Sequence, residues 1–199
     1  MSVYNFAPMP STTREHEPFA TWENGFTPEE LDQIEAYCDA LPQRKAIIGD
    51  KAEDEDFSDY RQSKVGWISN GPETGWFYDK MAWIARQLNA MFYRFDLAGF
   101  VEDMQFTVYD GEGDHYEWHI DAGVNHNAPR KFSLVLQLTD PNQYDGGELQ
   151  IHTSKEPTAV RRERGLVAAF PSYTLHRVTP VTRGIRKTIV VWVSGPPFR

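Results

Sequence analysis

The chain has 199 residues, a formal net charge of −9 and a sequence pI near 5.1. Nucleic acid selects basic surfaces, and because no Lys/Arg-rich run occurs, the composition argues against a nucleic-acid partner and favours a neutral or basic one. No apolar run reaches the roughly 18 residues of a membrane span, and Met1 to Asn5 lack a signal-peptide pattern, so we expect a cytoplasmic protein without membrane association.

The N-terminal segment differs in composition from the rest of the chain. Residues 1–20 are rich in Pro, Ser, Thr and charged residues, which predicts an irregular arm. The chain length suggests one domain, which we assign to residues 21–199. Within it, helical periodicity predominates over about 27–95 and strand periodicity over about 99–193.

The first predicted helix has a clear start signal. Thr27 can serve as N-cap, Pro28 as the first helical residue and Glu30 as the partner that closes a capping box. Helical spacing continues to about Leu41. The single Cys38 lies in this helix, and we interpret it as a small core residue; it excludes an internal disulfide and favours a reducing compartment.

An acidic segment from Asp50 to Asp59 follows, with the composition of a solvated loop. Arg61 to Ile68 is then predicted to be a strand. A second helix is predicted from Thr74 to Phe95, because apolar residues recur every three or four positions and would form one buried face. The members of that face are Phe77, Met81, Ile84, Leu88, Met91 and Phe95.

After Gly99 the pattern alternates between apolar and polar residues, beginning with Met104 to Tyr109. Such short strands, separated by turns that include Arg183-Gly184, indicate a sandwich or barrel. The predicted fold class is therefore α+β and mainly β. Further strands are predicted near residues 115–121, 131–138, 147–152, 158–161, 165–170, 175–178 and 185–193.

A candidate metal site begins at His119-Ile120-Asp121 on one predicted strand. Residues two apart point to the same side of a strand, so the imidazole and the carboxylate would converge, whereas Trp118 and Ile120 would point into apolar packing. His176, on a later strand, offers a third ligand. Two His and one carboxylate occupy one face of an octahedral Fe(II) and leave the other open, whereas zinc more often recruits Cys or an HExxH helix.

A candidate anion site follows ten residues after His176. Strand periodicity puts Arg186 on one face with Thr188, Val190 and Trp192, while Lys187 has the opposite parity. A buried Arg needs an anion, and a carboxylate is its natural bidentate partner.

The order His119-x-Asp121, a distal His176 and then Arg186 resembles the 2-oxoglutarate- and Fe(II)-dependent dioxygenases, and specifically their prolyl 4-hydroxylase branch. The resemblance covers about two-thirds of the chain. It also includes Tyr109, the turn Gly146-Gly147-Glu148-Leu149, and the segment Arg61-x-Ser63-x-x-x-Trp67-Ile68.

The resemblance implies a double-stranded β-helix, or jelly roll, with supporting N-terminal helices. It implies Fe(II) bound by His119, Asp121 and His176, with 2-oxoglutarate and O₂ as co-substrates and ascorbate as a candidate reductant. It further implies 2-oxoglutarate contacts from Arg186, Tyr109, Gln137 and Trp192, and substrate contacts from Tyr116, Arg130 and Trp192. Gln137 departs from the tyrosine that some relatives carry at this position.

The implied reaction is hydroxylation of a C–H bond, with succinate and CO₂ as co-products. A prolyl residue in a peptide or protein is the first substrate hypothesis, and a small molecule such as a free amino acid is the second. A non-catalytic metal-binding jelly roll is a third interpretation, but it would need neither Arg186 nor Tyr109. The acidic segment falls where relatives carry a loop beside the site, so either a lid that favours a basic peptide or an inert solvated loop fits it.

Overall fold

A computed structural model describes residues 17–46, 59–123 and 129–197 of the chain. Most of the acidic segment, together with His16 and His126, lies outside these residues. The elements in chain order are β1 (Ala20–Trp22), α1 (Pro28–Asp39), β2 (Arg44–Lys45), β3 (Arg61–Gln62), β4 (Lys64–Ile68), α2 (Gly75–Leu88), β5 (Met104–Tyr109), β6 (His115–His119), β7 (Arg130–Gln137), β8 (Tyr144–Gly146), β9 (Leu149–Ile151), β10 (Thr158–Ala159), β11 (Val167–Pro171), β12 (His176–Val178), β13 (Val181–Gly184) and β14 (Arg186–Ser194).

Two antiparallel sheets dominate the fold. The larger has the strand order β1-β11-β7-β14-β5-β4-β2, and the smaller has the order β10-β9-β12-β6-β3. Successive strands alternate between them: β5, β7, β11 and β14 belong to the larger sheet, whereas β6, β9 and β12 belong to the smaller. This alternation is the winding of a double-stranded β-helix, so the predicted fold class is confirmed.

The larger sheet is covered by the helices on its outer face. Phe106, Leu136 and Ile189 pack in one core cluster with Leu31 of α1 and Ile84 of α2. Alternate residues of the same strands point inward, between the two sheets. Both faces of β5, β7 and β14 are therefore buried, and the inward face is available for a site. Within the described ranges, no helix is both long and apolar enough to cross a membrane.

The predicted capping box at the start of α1 is present. Glu30 donates its backbone N–H to Thr27 Oγ1 (3.3 Å), and the Thr27 N–H donates to Glu30 Oε2 (2.8 Å). We expect Thr27→Ala to lower the free energy of unfolding by about 1 kcal/mol, because the helix loses an acceptor for an otherwise unpaired N–H. Urea denaturation measures this, with Thr182→Ala at an exposed strand position as the control; equal midpoints for the two variants would contradict the capping role.

Cys38 is fully buried in the helical layer, as the sequence predicted. Burial and the neighbouring carboxylates raise the pKa of its thiol to about 12, so the reactive thiolate is scarce at neutral pH. We therefore expect a disulfide reagent to label the native protein very slowly and the urea-unfolded protein rapidly. Cys38→Ala gives the blank, and fast labelling of the native protein would show that this layer opens readily.

The second helix ends earlier than the sequence predicted. α2 stops at Leu88, and a π-helical turn, Asn89–Tyr93, continues to the left-handed Arg94 (φ 57°). A π turn takes more residues per turn and rotates the following side chains away from the expected face. Met91, predicted to be core, is therefore 46% exposed, and Tyr93 is buried in its place.

Four short strands, β1, β2, β8 and β13, were not predicted. Ala20, assigned to the irregular arm, begins β1 and pairs with Ala169 of β11. The predicted turn at Arg183-Gly184 is the end of β13, which pairs with β8. Gly184 has a φ of 74°, which is why the sequence there resembled a turn.

Candidate metal and co-substrate site

A cavity of about 720 Å³ opens between the two sheets. The larger sheet contributes inward-facing residues of β4, β5 and β14, and the smaller sheet contributes β6 and β12. The candidate metal site and the candidate anion site share this cavity. His119, Asp121 and His176 line it together with Arg186 and Tyr109.

The three predicted metal ligands are brought together. His176 on β12 lies opposite His119 on β6. The Nε2 atoms of His119 and His176 lie 3.8 Å and 3.7 Å from the two carboxylate oxygens of Asp121, and the imidazole centroids are 4.1 Å apart. One ligand atom from each residue lies within 4.8 Å of the others, so a single ion can contact all three.

The strand carrying the first two ligands differs from the prediction. β6 ends at His119, and Asp121 lies in the following bend, where its N–H donates to the Ser172 carbonyl (2.9 Å). Trp118 and Ile120 do not enter apolar packing: Ile120 is 49% exposed, and Trp118 lies under the Arg177 guanidinium. Both side chains are instead among the residues that line the cavity.

The backbone orients both imidazoles. His119 Nδ1 lies 2.7 Å from the Glu117 carbonyl, and His176 Nδ1 lies 2.9 Å from the Thr174 carbonyl. A carbonyl accepts only from a protonated nitrogen, so Nε2 carries the lone pair that faces Asp121. Burial, together with nearby His176, lowers the pKa of His119 to about 3, so this imidazole is neutral at physiological pH.

The carboxylate between the imidazoles is ionised and incompletely paired. Burial favours the protonated acid, but His176, His119 and the Ser133 hydroxyl outweigh it, and the pKa of Asp121 lies below its usual range. Asp121 Oδ2 is buried without a hydrogen-bond partner in the described structure. A buried carboxylate oxygen without a partner is costly, and a cation fits here. The donor set of two imidazoles and one carboxylate suits Fe(II).

A buried guanidinium lies on the other side of the cavity. Arg186 is 2% exposed, its Nε has no partner, and no carboxylate of the described residues pairs with it. Tyr109 lies directly opposite on β5, with its ring centroid 5.2 Å from the guanidinium carbon. The site therefore has one unpaired anion near the imidazoles and one unpaired cation deeper in. A dicarboxylate that binds a metal with one end would satisfy the cation with the other.

The predicted glycine turn makes room for this arginine. Gly146 and Gly147 have φ values of 71° and 59°. A Cβ at Gly146 would lie 2.1 Å from the Pro180 carbonyl oxygen, and one at Gly147 would lie 2.8 Å from Arg186 Cδ. Glycine is thus required both by the backbone and by the close approach of Arg186.

The four residues predicted with less support have different outcomes. Tyr116 and Trp192 line the cavity, as does Arg130, which lies 3.7 Å from the Trp192 ring centroid. Gln137 is buried but donates to the Arg161 carbonyl (2.8 Å) and is not among the cavity-lining residues that the structure describes. The predicted role of Gln137 in binding 2-oxoglutarate is therefore unsupported.

Tyr116 is packed against a predicted metal ligand. Its ring stacks on the His119 imidazole, with centroids 3.5 Å apart and planes 15° apart. The Arg61 guanidinium carbon lies 4.4 Å from the Tyr116 centroid, and the stacked imidazole occupies one face, so the guanidinium covers the other. Burial raises the pKa of Tyr116 to about 12, so the phenol stays protonated.

Glu102 is a site residue that the sequence analysis missed. It accepts two hydrogen bonds from Arg130, which also reaches the Asp121 carbonyl through Nη1 (3.4 Å). We expect Glu102→Gln to release Arg130 from the Trp192 face and to raise the KM for substrate several-fold, because Arg130 loses its charged partner and with it part of the roughly 1.5–3 kcal/mol that hydrogen bonds to charged groups contribute. Steady-state kinetics checks this. Asp103→Asn next to it is the control, and an unchanged KM in Glu102→Gln would contradict the positioning role.

Comparison with known proteins agrees with this site. Residues 104–194 match the 2OG-Fe(II) oxygenase superfamily. The match spans the jelly-roll strands from β5 to β14. The superfamily uses Fe(II), 2-oxoglutarate and O₂, and the group His119, Asp121 and His176 fits the iron site of an oxygenase.

Sequence relatives of the chain carry one recurring name. A PKHD-type hydroxylase of Teredinibacter turnerae is 42% identical over 97 residues, covering 46% of this chain and 42% of the relative. One of Nitrosomonas europaea is 33% identical over 113 residues, covering 54% of this chain and 50% of the relative. The chain thus spans about half the length of the relatives it matches.

Solved structures share the oxygenase fold over almost the whole chain. A Pseudomonas putida prolyl-4-hydroxylase superposes with a TM-score of 0.71 at 20% identity, covering 92% of this chain and 94% of the other. A Trichoplax adhaerens prolyl hydroxylase, solved with a hypoxia inducible factor peptide, gives 0.70 at 16% identity, covering 89% and 84%. At these identities the likeness establishes the fold.

Proposed function

We propose that this oxygenase hydroxylates a C–H bond of a prolyl residue in a peptide or protein, with 2-oxoglutarate and O₂ consumed and succinate and CO₂ released. One observation carries the proposal: an unpaired carboxylate oxygen between two oriented imidazoles shares a cavity with an unpaired buried guanidinium. A binding module would need the first feature but not the second.

The residues of the site would have separate binding roles. His119, Asp121 and His176 would hold Fe(II), which supplies the O₂ chemistry when bound. Arg186 would bind the distal carboxylate of 2-oxoglutarate and thereby fix its orientation, with the Tyr109 ring against the guanidinium. The buried setting strengthens this charge pair because little water competes for the guanidinium.

The substrate would enter beside the aromatic wall of the cavity. Trp67 and Trp192 lie with ring centroids 6.5 Å apart, and the buried Trp192 Nε1 has no partner in the described structure. A compact, apolar pyrrolidine ring can pack on such a wall, and the indole N–H can donate to a backbone carbonyl. The names of the relatives and the fold neighbours support the same class of substrate, since both are hydroxylases and the neighbours include prolyl hydroxylases.

The test combines two measurements on wild-type protein. Fe(II) and 2-oxoglutarate added without O₂ should produce a visible charge-transfer band. In air, a panel of proline-containing peptides should give succinate and a peptide heavier by one oxygen atom, and the same peptides with Ala in place of Pro should not. Absence of the band would contradict the oxygenase proposal, and oxidation of the Ala peptides alone would contradict the prolyl assignment.

A further inference from the structure

We propose that Arg61 is a substrate subsite that binds a carboxylate, so that the preferred substrate carries an anionic group a few bonds from the carbon that is hydroxylated. The inference rests on the proposed function and names the substrate chemistry that the same cavity selects.

The first observation is the charge of the cavity wall. Four of its described lining residues are arginines, and Asp121 is the one carboxylate among them. That carboxylate belongs to the metal site. Both histidines of the triad add no negative charge. The wall outside the metal site is therefore cationic, although the whole chain is acidic. Such a wall attracts an anionic group and disfavours a basic one, which argues against the basic partner raised by the sequence.

The second observation separates the three buried arginines by their partners; the fourth, Arg44, is exposed. Arg130 is neutralised by Glu102, and Arg186 has the position suited to 2-oxoglutarate. Among the described residues, Arg61, only 7% exposed, has no carboxylate partner: Nε donates to Ser63 Oγ (3.1 Å) and Nη2 donates to Gln105 Oε1 (3.0 Å). Neither bond uses Nη1, and neither partner carries a charge. A buried guanidinium held only by neutral groups favours an anion from outside.

The third observation is the position of Arg61 relative to the metal ligands. The guanidinium covers one face of the Tyr116 ring, and His119 covers the other. The Tyr116 ring therefore lies between Arg61 and the predicted metal ligand His119, and all three residues line the same cavity. The bonds to Ser63 and Gln105 fix the plane of the guanidinium before a substrate arrives, so little entropy is lost on binding. A carboxylate bound at Nη1 would hold the substrate in the same cavity as the triad.

Two kinds of substrate present this chemistry. A peptide can carry an acidic side chain next to the reacting residue, and a free amino acid carries its own α-carboxylate. Two matched pairs of probes distinguish them. The first pair is the peptide acetyl-Gly-Pro-Asp-Gly-amide and its Asn analogue. The second pair is L-proline and L-prolinamide, which share the ring and the cationic amine.

The experiment measures equilibrium binding, so it does not depend on turnover. Wild-type protein with Fe(II) and 2-oxoglutarate is titrated without O₂, and each probe is followed by its perturbation of the charge-transfer band. We expect the carboxylate member of one pair to bind roughly tenfold or more tightly than its amide, because charge-assisted hydrogen bonds to Arg are about twice as strong as neutral ones. Preference in the first pair identifies an acidic peptide, and preference in the second identifies a free amino acid.

Variants locate the effect at Arg61. Arg61→Gln keeps a side chain that can bond Ser63 and Gln105, and it should reduce the carboxylate-to-amide ratio to about one, while Arg61→Lys should keep part of the preference. Arg183→Gln removes an exposed arginine paired with Asp145 outside the cavity and should keep all of it. Thermal melting of each variant confirms that it is folded.

Three outcomes would overturn the inference. They are equal binding of acid and amide by the wild type in both pairs, a preference that survives in Arg61→Gln, and no perturbation by either carboxylate at millimolar concentration. Each of these leaves the charge-transfer band itself intact, so the oxygenase proposal would stand. Loss of the band in wild-type protein would instead contradict the proposed function.

Discussion

Asp121→Ala is expected to abolish stoichiometric Fe(II) binding, with a loss of affinity of at least about 100-fold, a size that removal of outer-shell partners alone can reach. The carboxylate supplies the negative charge of the ligand set, and its Oδ2 has no other partner in the described residues. Two neutral imidazoles alone hold Fe(II) weakly. Isothermal titration under anaerobic conditions measures the change.

Melting temperatures show whether the loss in Asp121→Ala is specific to Fe(II) binding. In wild-type protein, Fe(II) should raise the melting temperature, because a ligand that binds only the folded state stabilises it. The apo variant should melt no lower than the apo wild type, since it lacks a buried charge with an unpaired oxygen. The Fe(II)-induced increase should vanish in Asp121→Ala and persist in His152→Ala, a control on the exposed face of the smaller sheet. A normal increase in Asp121→Ala would remove Asp121 from the ligand set.

Arg186→Gln is expected to abolish 2-oxoglutarate binding while Fe(II) still binds. Truncating one partner of a buried, hydrogen-bonded charge pair costs about 2–5 kcal/mol or more, which corresponds to an affinity loss of roughly 30-fold to several thousand-fold. The charge-transfer band should therefore require far more 2-oxoglutarate or fail to form. Succinate production should fall in parallel.

Lys187→Gln is the matched control on the neighbouring residue. Lys187 points to the opposite face of β14, where it pairs with Glu35 and Asp39 of α1. Losing these pairs should lower the melting temperature slightly and leave the 2-oxoglutarate affinity unchanged. If both variants lost 2-oxoglutarate binding equally, the effect would be a general disturbance of β14, and the role of Arg186 would be wrong.

The metal site was predictable because strand alternation and a family resemblance point to the same residues. Alternation grouped His119 with Asp121, the resemblance joined them to His176 and Arg186, and all four line one cavity. The bend at Asp121 was not predictable, because it depends on the Ser172 carbonyl, a partner distant in sequence that captures the Asp121 N–H. The exposure of Ile120 was not predictable either, since a local pattern does not reveal which residues line a cavity.

Other residues show where sequence patterns are insufficient. The resemblance put Gln137 beside the co-substrate, but its amide donates to the Arg161 carbonyl, a partner 24 positions away that no local pattern reveals. Met91 continued a good apolar repeat, yet the π turn that contains it changed the direction of the side chain. The partnership of Glu102 with Arg130 spans 28 positions and leaves no local pattern at all.

The unequal covering of the two sheets has a consequence for how the protein opens. The larger sheet lies between helices and the cavity, whereas the smaller sheet, which carries both histidines, has one solvent-facing side. Amide hydrogens in β5, β7 and β14 should therefore exchange with deuterated solvent only on global unfolding, while those of β6 and β12 should exchange through smaller, more frequent fluctuations. The strands around Arg186, which would bind 2-oxoglutarate, would be rigid. The strands that carry His119 and His176, which would bind Fe(II), would open first.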